Sequence, residues 1–355
     1  MQDNDFFVRV AKICELSGIM KKMIFAMVAA ALLASGCADS PKDRVITGYV
    51  TSWGTTLPDP SLVTHLNYAF GHVADSFDSL TIDNEPRLAE IAALRDVKPS
   101  LKVLLSVGGW ESGNFSEMAA SDSLRSAFCA SCKAAVDRFG LDGIDIDWEY
   151  PTSDLGGISC SPDDKENFAL LMRDLRSVLG EDALLSFAAS SETKYIDYAA
   201  AVGYVDFVNV MTYDMGRAPK FNAALHNSRL HDGQTVEKSV REHLAAGVPK
   251  SKLVVGIPFY GRGDRIFFPE SVDYKDLKVD GRYYEVLWDE DAMVPYVANK
   301  ITGDIVFSYD NERSIFAKCL YIKKNHLRGA MIWDCGADDS DFTLSTVLWT
   351  YLKEK

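Results

Sequence analysis

The chain has 355 residues, of which 47% are hydrophobic and 25% charged, a balance typical of globular proteins. This length suits one large α/β domain or two small ones. The formal net charge of -14 argues against a nucleic acid and against an anionic membrane surface as partners, because both repel an acidic protein.

The N-terminal segment predicts export from the cytoplasm. Met20-Lys21-Lys22 is a basic start, and residues 23–33 form an uncharged apolar run, short for a membrane span of ~20 residues. The small residues before Cys37 resemble the cleavage box of bacterial lipoproteins, in which the cysteine is lipidated. We expect a signal peptide over 1–36, with an over-extended start before Met20, and a lipidated tether over 37–43. A plain secretory peptide cut near Ala34 or Gly36 is the alternative.

From residue 44 onward, apolar runs of strand length alternate with segments of helical periodicity. Besides an acidic segment around residue 145, the runs are 45–50, 65–70, 103–107, 184–189, 207–213, 253–260 and 329–333. Strands that alternate with helices pair in parallel, and eight such units predict an α/β fold, a closed (β/α)8 TIM barrel over 44–355. A doubly wound open sheet is the alternative, but no glycine-rich phosphate loop follows the first strand. A small β-rich insertion is predicted over 263–309, between strands seven and eight.

Cys129 and Cys132 form a C-x-x-C inside a segment of helical periodicity, 123–139. Two buried thiols on a helix are the preferred interpretation, and a zinc or redox site is the alternative. The five cysteines that follow Cys37 are an odd number, so they predict no complete disulfide set.

The acidic segment carries the chemistry of the chain. Ile144, Ile146 and Trp148 alternate with Asp145, Asp147 and Glu149, and this two-residue period indicates a strand with one apolar and one acidic face. Buried carboxylates without partners are costly, so the acidic face is expected to line a water-accessible cavity and to bring Glu149 to its rim. We interpret this segment as a catalytic strand.

Three carboxylates on one face repel each other, and this repulsion raises the pKa of at least one of them. A carboxyl group that stays protonated near neutral pH can act as a general acid toward a glycosidic oxygen. No second carboxylate facing Glu149 can be placed from the sequence, which favours a mechanism in which the acetamido oxygen of the sugar is the nucleophile. A calcium site fits poorly, because calcium loops with this acid spacing need a flexible turn.

Aromatic residues recur at the C-terminal ends of the predicted strands, where the active sites of barrels lie. They are Tyr49, Trp53, Phe70, Trp110, Tyr213, Tyr260 and Trp333. Because the apolar faces of pyranose rings stack on aromatic planes, this set around a carboxylate predicts a sugar-binding cleft.

Five segments resemble motifs of glycoside hydrolase family 18, the chitinases and related endo-N-acetylglucosaminidases. The segment 142–151 resembles the signature D-G-x-D-x-D-x-E, and Ser106-Val107-Gly108-Gly109-Trp110 resembles the third-strand S-x-G-G motif. Met211-Thr212-Tyr213-Asp214, Pro258-Phe259-Tyr260-Gly261-Arg262 and Gly329-Ala330-Met331-Ile332-Trp333 are similar to the motifs of strands six, seven and eight. The resemblance extends from Val45 to the C-terminus.

The resemblance implies a role for each motif residue. Glu149 would be the proton donor and later the base, Asp147 would hold the acetamido group, and Asp145 would share the proton and charge of Asp147. Tyr213 would hydrogen-bond the acetamido carbonyl, Trp333 would form the floor under the cleaved sugar, and Trp110 would stack on the leaving-group side. The other residues expected to bind substrate are Tyr49, Phe70, Gly109, Met211, Asp214, Tyr260 and Arg262. The side chain of Asp142 faces the opposite side of the strand from the three acids, and Asp142 is expected to be structural.

The sequence therefore predicts a retaining, endo-acting hydrolase of β-1,4-linked N-acetylglucosamine, in chitin or its oligosaccharides, that needs no metal and no cofactor. One alternative keeps the mechanism and cleaves the chitobiose core of N-glycans. The other is a lectin-like glycan-binding protein without turnover, which the intact acidic residues disfavour. We expect a monomer in the cell envelope, either periplasmic or on the cell surface, that contacts a membrane only through the lipid on Cys37. A short insertion would leave a shallow groove.

Overall fold

The computed structural model describes residues 44–354, so the predicted signal peptide, Cys37 and the tether lie outside the described residues. The strands are β1 (Val45–Thr51), β2 (His65–Val73), β3 (Leu80–Ile82), β4 (Lys102–Gly108), β5 (Gly143–Asp147), β6 (Leu184–Ser190), β7 (Phe207–Met211), β8 (Leu253–Pro258), β9 (Tyr260–Gly263), β10 (Ser271–Asp273), β11 (Tyr284–Asp289), β12 (Val294–Asn299), β13 (Ile305–Ser308) and β14 (Gly329–Trp333). The helices are α1 (Glu85–Ala93), α2 (Phe115–Ala120), α3 (Asp122–Phe139), α4 (Asp164–Leu179), α5 (Tyr198–Ala201), α6 (Val236–Ala245), α7 (Glu312–Lys324) and α8 (Thr343–Trp349).

Eight parallel strands close into a barrel in the order β1-β2-β4-β5-β6-β7-β8-β14, and β1 pairs with both β2 and β14. Because no edge of the eight-stranded sheet stays open, the predicted (β/α)8 barrel is confirmed and the doubly wound alternative is wrong. The short β3 adds to β2 in the antiparallel direction. Helices or short helical turns connect the parallel strands.

Local sequence signals set the ends of the longer helices. The side chain of Ser121 accepts a hydrogen bond from the backbone of Leu124 at the start of α3, and Gly140 ends α3 with a positive φ of 59°. At the start of α7, Asn311 and Ser314 form a capping box. None of the described helices is long and apolar enough to cross a membrane.

The insertion between β8 and β14 is a five-stranded antiparallel sheet in the order β10-β9-β13-β12-β11. One side of the sheet contributes Val294 to a small core with Phe221 of the loop between β7 and α6. A second core contains Phe268 and Phe307. The apolar run predicted over 253–260 divides between two sheets, because β8 ends at Pro258 and β9 begins the insertion at Tyr260.

The large apolar layer of the barrel lies between the strands and the helices, and it contains Ile144 and Ile146 of β5 together with Trp148. The ring of Trp148 stacks on Phe115 at a centroid distance of 5.3 Å and packs near Phe168 at 6.3 Å. The apolar face of β5 is therefore turned to the helices, which leaves its acidic face for the inside of the barrel.

Candidate active site

Asp145 is fully buried inside the barrel and accepts hydrogen bonds from four other strands' side chains. Its donors are the Tyr49 hydroxyl at 2.6 Å, the Ser106 hydroxyl at 2.8 Å, the Ser186 hydroxyl at 2.6 Å and the Asn209 amide at 3.2 Å. Burial raises the pKa of Asp145, and the four hydrogen bonds reduce that rise because they stabilise the carboxylate. The ring of donors fixes both oxygens of Asp145.

Asp147 is the next inward-facing residue of β5 after Asp145, and it lines the cavity. Its Oδ1 atom is buried and has no hydrogen-bond partner among the described residues. Burial raises the pKa of Asp147 well above its ordinary value, and the charges of Glu149 and Asp145 raise it further. The backbone of Asp147 is also held in place, because the Gly109 N–H donates to the Asp147 carbonyl oxygen at 2.8 Å. Asp147 therefore presents an unsatisfied polar atom at a fixed position.

Glu149 is half-buried at the mouth of the barrel. Burial raises its pKa to about 7, a hydrogen bond with Tyr150 lowers it, and the charge of Asp214 raises it. The predicted rise in carboxyl pKa is thus present, but its main cause is desolvation rather than the repulsion between neighbouring acids. A glutamate with this pKa can give up a proton and take one back near neutral pH.

A cavity of about 1100 Å³ opens above these carboxylates. Of the predicted site residues, it is lined by Asp147, Glu149, Tyr213, Phe70, Trp110, Met211, Asp214, Arg262 and Trp333. The cavity thus brings together side chains from β2 to β14 at the C-terminal ends of the strands, where barrel enzymes bind their substrates.

Tyr49, Gly109 and Tyr260 lie behind the lining rather than in it. Tyr49 gives its hydroxyl to Asp145 and packs its ring 5.4 Å from the ring of Trp333. Gly109 has a φ of 95°, and a Cβ atom there would lie 2.6 Å from the Phe70 ring. The Tyr260 hydroxyl donates to Asp214 Oδ1 at 2.8 Å. The structure therefore places these three residues behind the lining. Their contact with substrate stays a prediction.

The floor and rim of the cavity are aromatic. The rings of Trp333 and Phe70 stack at a centroid distance of 5.8 Å with an interplanar angle of 23°, and Trp53 lies 6.4 Å from Phe70. Trp110 stands at the rim with 54% of its surface exposed. The Tyr213 hydroxyl contacts only a weak acceptor among the described residues, the sulfur of Met331 at 3.6 Å, so it can donate to a ligand.

Several functional residues were not predicted. Ser186 and Asn209 hold Asp145, and each is a polar residue at an inward position of an otherwise apolar strand, which was a usable signal. Other unpredicted lining residues are His72, Asp83, Tyr150, Ser190, Ser191, Glu192, Arg217, Gln234, Arg265 and Glu270. Most of these come from loops, whose position relative to the barrel the sequence pattern does not encode. Asp142, expected to be structural, accepts hydrogen bonds from Arg95 and Lys102 on the outside.

None of the five cysteines in the described part of the chain lines the cavity. Cys129 and Cys132 are both buried on α3, as expected of structural thiols, and burial raises the pKa of Cys129 to about 12. Cys160, Cys319 and Cys335 are also unpaired. Among residues 44–354, no three His, Cys, Asp or Glu side chains are grouped so that they could hold a metal ion.

The chain resembles known proteins over most of its length. The model of glycosyl hydrolases family 18 matches residues 45–338. "Chitinase A1" of Niallia circulans is 29% identical over 89% of this chain and 60% of its own length. "Probable chitinase 2" of Drosophila melanogaster is 31% identical over 89% of this chain and 77% of its own.

A solved structure has the same fold. It is a glycoside hydrolase family 18 N-acetylglucosaminidase from Paenibacillus barengoltzii, with a TM-score of 0.78 and 34% identity, and the match covers 87% of this chain and 99% of that one. The family match, the barrel and the acidic strand agree with one another. The chain belongs to glycosyl hydrolases family 18.

Proposed function

We propose that the protein hydrolyses β-1,4-linked N-acetylglucosamine, in chitin or its oligosaccharides, with retention of configuration and with the substrate's acetamido group as nucleophile. One observation carries the proposal. Glu149, with a pKa of about 7, stands beside the buried and partnerless Asp147 Oδ1 atom under an aromatic cavity. A proton donor and an acceptor for an amide N–H are thereby held next to a surface on which sugars stack.

In the proposed first step, the protonated Glu149 donates its proton to the glycosidic oxygen, and the bond from that oxygen to the anomeric carbon breaks. The acetamido carbonyl oxygen attacks the anomeric carbon and forms an oxazolinium ion. Asp147 accepts a hydrogen bond from the acetamido N–H, and the Tyr213 hydroxyl donates to the acetamido oxygen. In the second step the Glu149 carboxylate takes a proton from water, whose oxygen opens the oxazolinium ion.

The names of the relatives support this substrate class without deciding the mode of cleavage. Two relatives are named chitinases, and the solved structure is described as an N-acetylglucosaminidase. The chain spans 60% of the length of the Niallia circulans relative. We therefore base the proposed activity on the site of this chain and not on the activity of that relative. The second candidate is an endo-β-N-acetylglucosaminidase acting on the chitobiose core of N-glycans, and the third is a glycan-binding protein without turnover.

The substitution Glu149→Gln tests the mechanism. Because glutamine cannot donate the proton, we expect turnover of chitotetraose to fall by about 10²–10⁴-fold, while the dissociation constant of the oligosaccharide changes little. Glu166→Gln, on the exposed side of α4, is the matched control and should keep full turnover. Unchanged turnover in Glu149→Gln would contradict the proposed role.

Mass spectrometry of the products distinguishes the three candidates. Protein beginning at residue 38 is incubated with chitin oligosaccharides and, separately, with a high-mannose glycoprotein. Short N-acetylglucosamine oligomers establish the chitinase, and the sizes released distinguish endo from exo action. Glycans that end in one N-acetylglucosamine establish the endoglycosidase. Binding without any product establishes the glycan-binding protein.

We further propose that Cys37 is lipidated and tethers the enzyme in the cell envelope. Its motif is the only support for this. Incorporation of an alkyne fatty acid into the full chain, and its loss in Cys37→Ser, is the expected result, and equal labelling of both proteins would overturn the assignment.

A further inference from the structure

Charge is unevenly distributed at the N-terminal end of the barrel, the end opposite the cavity. The strands β8, β14, β1, β2 and β4 are neighbours around the barrel. The segments that lead into these strands carry seven basic residues, namely Arg44, Arg95, Lys98, Lys102, Lys250, Lys252 and Arg328. The carboxylates beside them are Asp59, Asp96 and Asp142. We call these ten residues the basic sector. Seven positive charges against three negative ones leave it with a net charge of +4.

Neighbouring groups do not cancel this excess. The helix ends before these strands and the C-terminal turn add three lysines and three glutamates, which balance: Lys323, Lys324, Lys353, Glu90, Glu242 and Glu354. The acidic residues at this end of the barrel lie on its other side, before β6 and β7, where Glu181, Asp182 and Asp206 occur and Arg176 pairs with Asp206. The net charge of -14 therefore disfavours an anionic partner for the chain as a whole but not for the basic sector.

His65, the first residue of β2, lies within the field of these charges. Burial lowers the pKa of His65, and the positive charges of Arg328, Lys102 and Lys353 lower it further, to about 3. Among the charged groups that act on this ring, only Asp142 raises the pKa. Three cations against one carboxylate make the electrostatic potential at this end of the barrel positive.

Two arginines of the basic sector form no ion pair with any described residue. Arg44 precedes β1 and Arg328 precedes β14, and the two are neighbours, because the Val45 N–H donates to the Arg328 carbonyl oxygen at 3.0 Å. Arg44 is 6% exposed, and its Nε and Nη1 atoms are buried without a hydrogen-bond partner. The Nε atom of Arg328 is in the same state. Unpaired buried donors are costly, and the oxygens of a phosphate are their matching acceptors.

Other cations of the basic sector are held in place by groups that do not neutralise them. Lys98 Nζ donates to the carbonyl oxygen of residue 63 at 2.6 Å, and Lys252 Nζ donates to that of residue 205 at 2.6 Å. Lys102 is half-exposed beside Asp142, and Lys250 is exposed. The basic sector therefore offers fixed positive charges together with side chains that reach solvent.

The proposed lipid site is close to the basic sector along the chain. Residues 38–43 separate Cys37 from Arg44, so even a fully extended chain between the two spans at most ~25 Å. Because Arg44 leads into β1, this chain is attached at the N-terminal end of the barrel. A membrane rich in anionic phospholipids attracts basic residues held near its surface, and the attraction decays within about 8 Å at physiological salt. The short attachment favours the membrane over other polyanions as the occupant.

We infer that the basic sector binds the phosphate groups of anionic phospholipids in the membrane that holds the Cys37 lipid, so that the cavity opens away from that membrane. The inference rests on the proposed lipidation of Cys37 and goes beyond the proposed hydrolysis. Lys102 and Lys250 contact the headgroup layer, and Arg44 and Arg328 bind lipid phosphate. The enzyme then takes glycans that approach from the aqueous side.

Sedimentation with vesicles tests the surface. Protein that begins at residue 38 keeps every described strand and helix and carries no lipid. We expect it to bind vesicles of phosphatidylglycerol and phosphatidylcholine in equal parts about tenfold more strongly than vesicles of phosphatidylcholine alone, with a smaller difference at high salt. Equal binding to both vesicles would overturn the inference. Retention on dextran sulfate without binding to the anionic vesicles would also overturn it, in favour of an acidic polymer.

The double variant Lys102→Gln/Lys250→Gln should weaken binding to the anionic vesicles by about tenfold. Arg328→Gln should weaken it as well, and circular dichroism checks that each variant is folded. The matched control is Arg282→Gln/Lys300→Gln, which removes two exposed charges from the insertion, beyond the opposite end of β8. Equal losses in the two double variants would mean that only the net charge of the protein matters, and they would overturn the assignment of this surface.

Fluorescence quenching tests the orientation. Among the described cysteines only Cys160 is exposed, and it follows the C-terminal end of β5. One sample carries a fluorophore on Cys160, and the other carries it on Lys250→Cys in a Cys160→Ser background. Both are the lipidated full chain in anionic vesicles with a quencher on the lipid headgroup. The label at position 250 should be quenched several-fold more than the label at position 160, and equal or reversed quenching would overturn the inference.

The inference and the earlier proposals fail in different ways. Turnover of chitotetraose tests the hydrolysis and does not depend on the basic sector. Incorporation of the alkyne fatty acid tests the lipidation, whereas sedimentation uses protein without lipid. If Cys37 is not lipidated, the quenching of the two labels is compared on vesicle-bound protein that begins at residue 38. Equal quenching there would again overturn the inference.

Discussion

Asp145 lies deeper in the barrel than the residues that line the cavity. It is completely buried, and its carboxylate is satisfied by side chains from β1, β4, β6 and β7. An ionised carboxylate in this position would be costly without partners, and each donor lowers that cost. The four donors therefore determine how readily Asp145 carries charge, and the charge of Asp145 in turn raises the pKa of Asp147.

Removal of single donors should change the pH dependence of the enzyme. Ser186→Ala and Asn209→Leu each delete a hydrogen bond to Asp145, which raises the pKa of that carboxyl because its charged form is less stabilised. We expect the acidic limb of the kcat/KM profile to move to higher pH and kcat to fall by about tenfold, the equivalent of ~1.4 kcal/mol.

The control for these variants is Ser239→Ala, a buried serine on α6 outside the site. It should leave the profile in place. An acidic limb at the same pH in all three variants would mean that Ser186 and Asn209 only fill space.

The alternation of acids and apolar residues in β5 predicted that Asp145 and Asp147 point into the barrel, but it did not show that Asp145 is fully buried while Asp147 and Glu149 line the cavity. It could not show that Tyr49 and Tyr260 lie behind the lining, because depth along the barrel axis depends on the stagger of neighbouring strands. The same two-residue alternation could have identified Ser186 and Asn209 as side chains that point into the barrel. It could not have identified Arg217 and Glu270 as lining residues, because each lies on a loop whose direction depends on tertiary contacts.

The helix α7 follows the insertion, and a buried ion pair joins it to Asp310 in the segment between β13 and α7. Lys318 of α7 and Asp310 are both 0% exposed, and Lys318 Nζ lies 2.6 Å from each carboxylate oxygen. The Ser314 hydroxyl also donates to Asp310 at 2.6 Å. Burial lowers the pKa of Lys318, while the charge of Asp310 opposes that change. One desolvated ion pair thus holds α7 to the segment that leads into it from β13.

We expect Lys318→Met to lower the free energy of unfolding by about 3–5 kcal/mol, because it leaves the Asp310 charge buried and unpaired. Urea denaturation followed by circular dichroism measures the change. The double variant Lys318→Met/Asp310→Asn should recover most of the loss, and Lys324→Met, at an exposed position of α7, should cost less than ~0.5 kcal/mol. A double variant as unstable as the single one would argue against this account.

The barrel strands were predictable as elements because β5 shows a strict two-residue alternation and each of the others is a short apolar run bounded by turns. The exception is the run 253–260, which belongs to two sheets. Pro258 and Tyr260 are both compatible with extended backbone, so no local signal marks the change of direction between β8 and β9. The insertion was predicted from its β-rich composition, but its contribution of Arg265 and Glu270 to the cavity follows only from the folded arrangement.

Folding of the whole barrel disfavours the ionised forms of the carboxyl groups at its site. Desolvation raises the pKa of Asp145, Asp147 and Glu149, so their ionisation opposes folding. For Glu149 the folded pKa of about 7 lies above its usual value. Between the two values the folded protein binds more protons than the unfolded chain, so stability is fully present at low pH and decreases as pH rises through about 7.

Glu149→Gln removes this ionisation and should stabilise the protein in alkaline solution. We expect its free energy of unfolding to exceed that of the unmodified enzyme by on the order of 1–2 kcal/mol at pH 8. At pH 5 the two proteins should differ little. Denaturant titrations at both pH values give the difference, and equal differences at the two values would show that Glu149 does not titrate as described.

Closure of the barrel through β1 has a consequence for how the chain folds. Val45 at the start of β1 pairs with Gly329 in β14, so the final seam joins the two ends of the described chain. During synthesis one edge of β1 stays unpaired until β14 has emerged, and an unpaired edge is open to association with other chains. Pairing across so long a loop also makes folding slow. The seam between β1 and β14 is therefore the part of the barrel that we expect to form late.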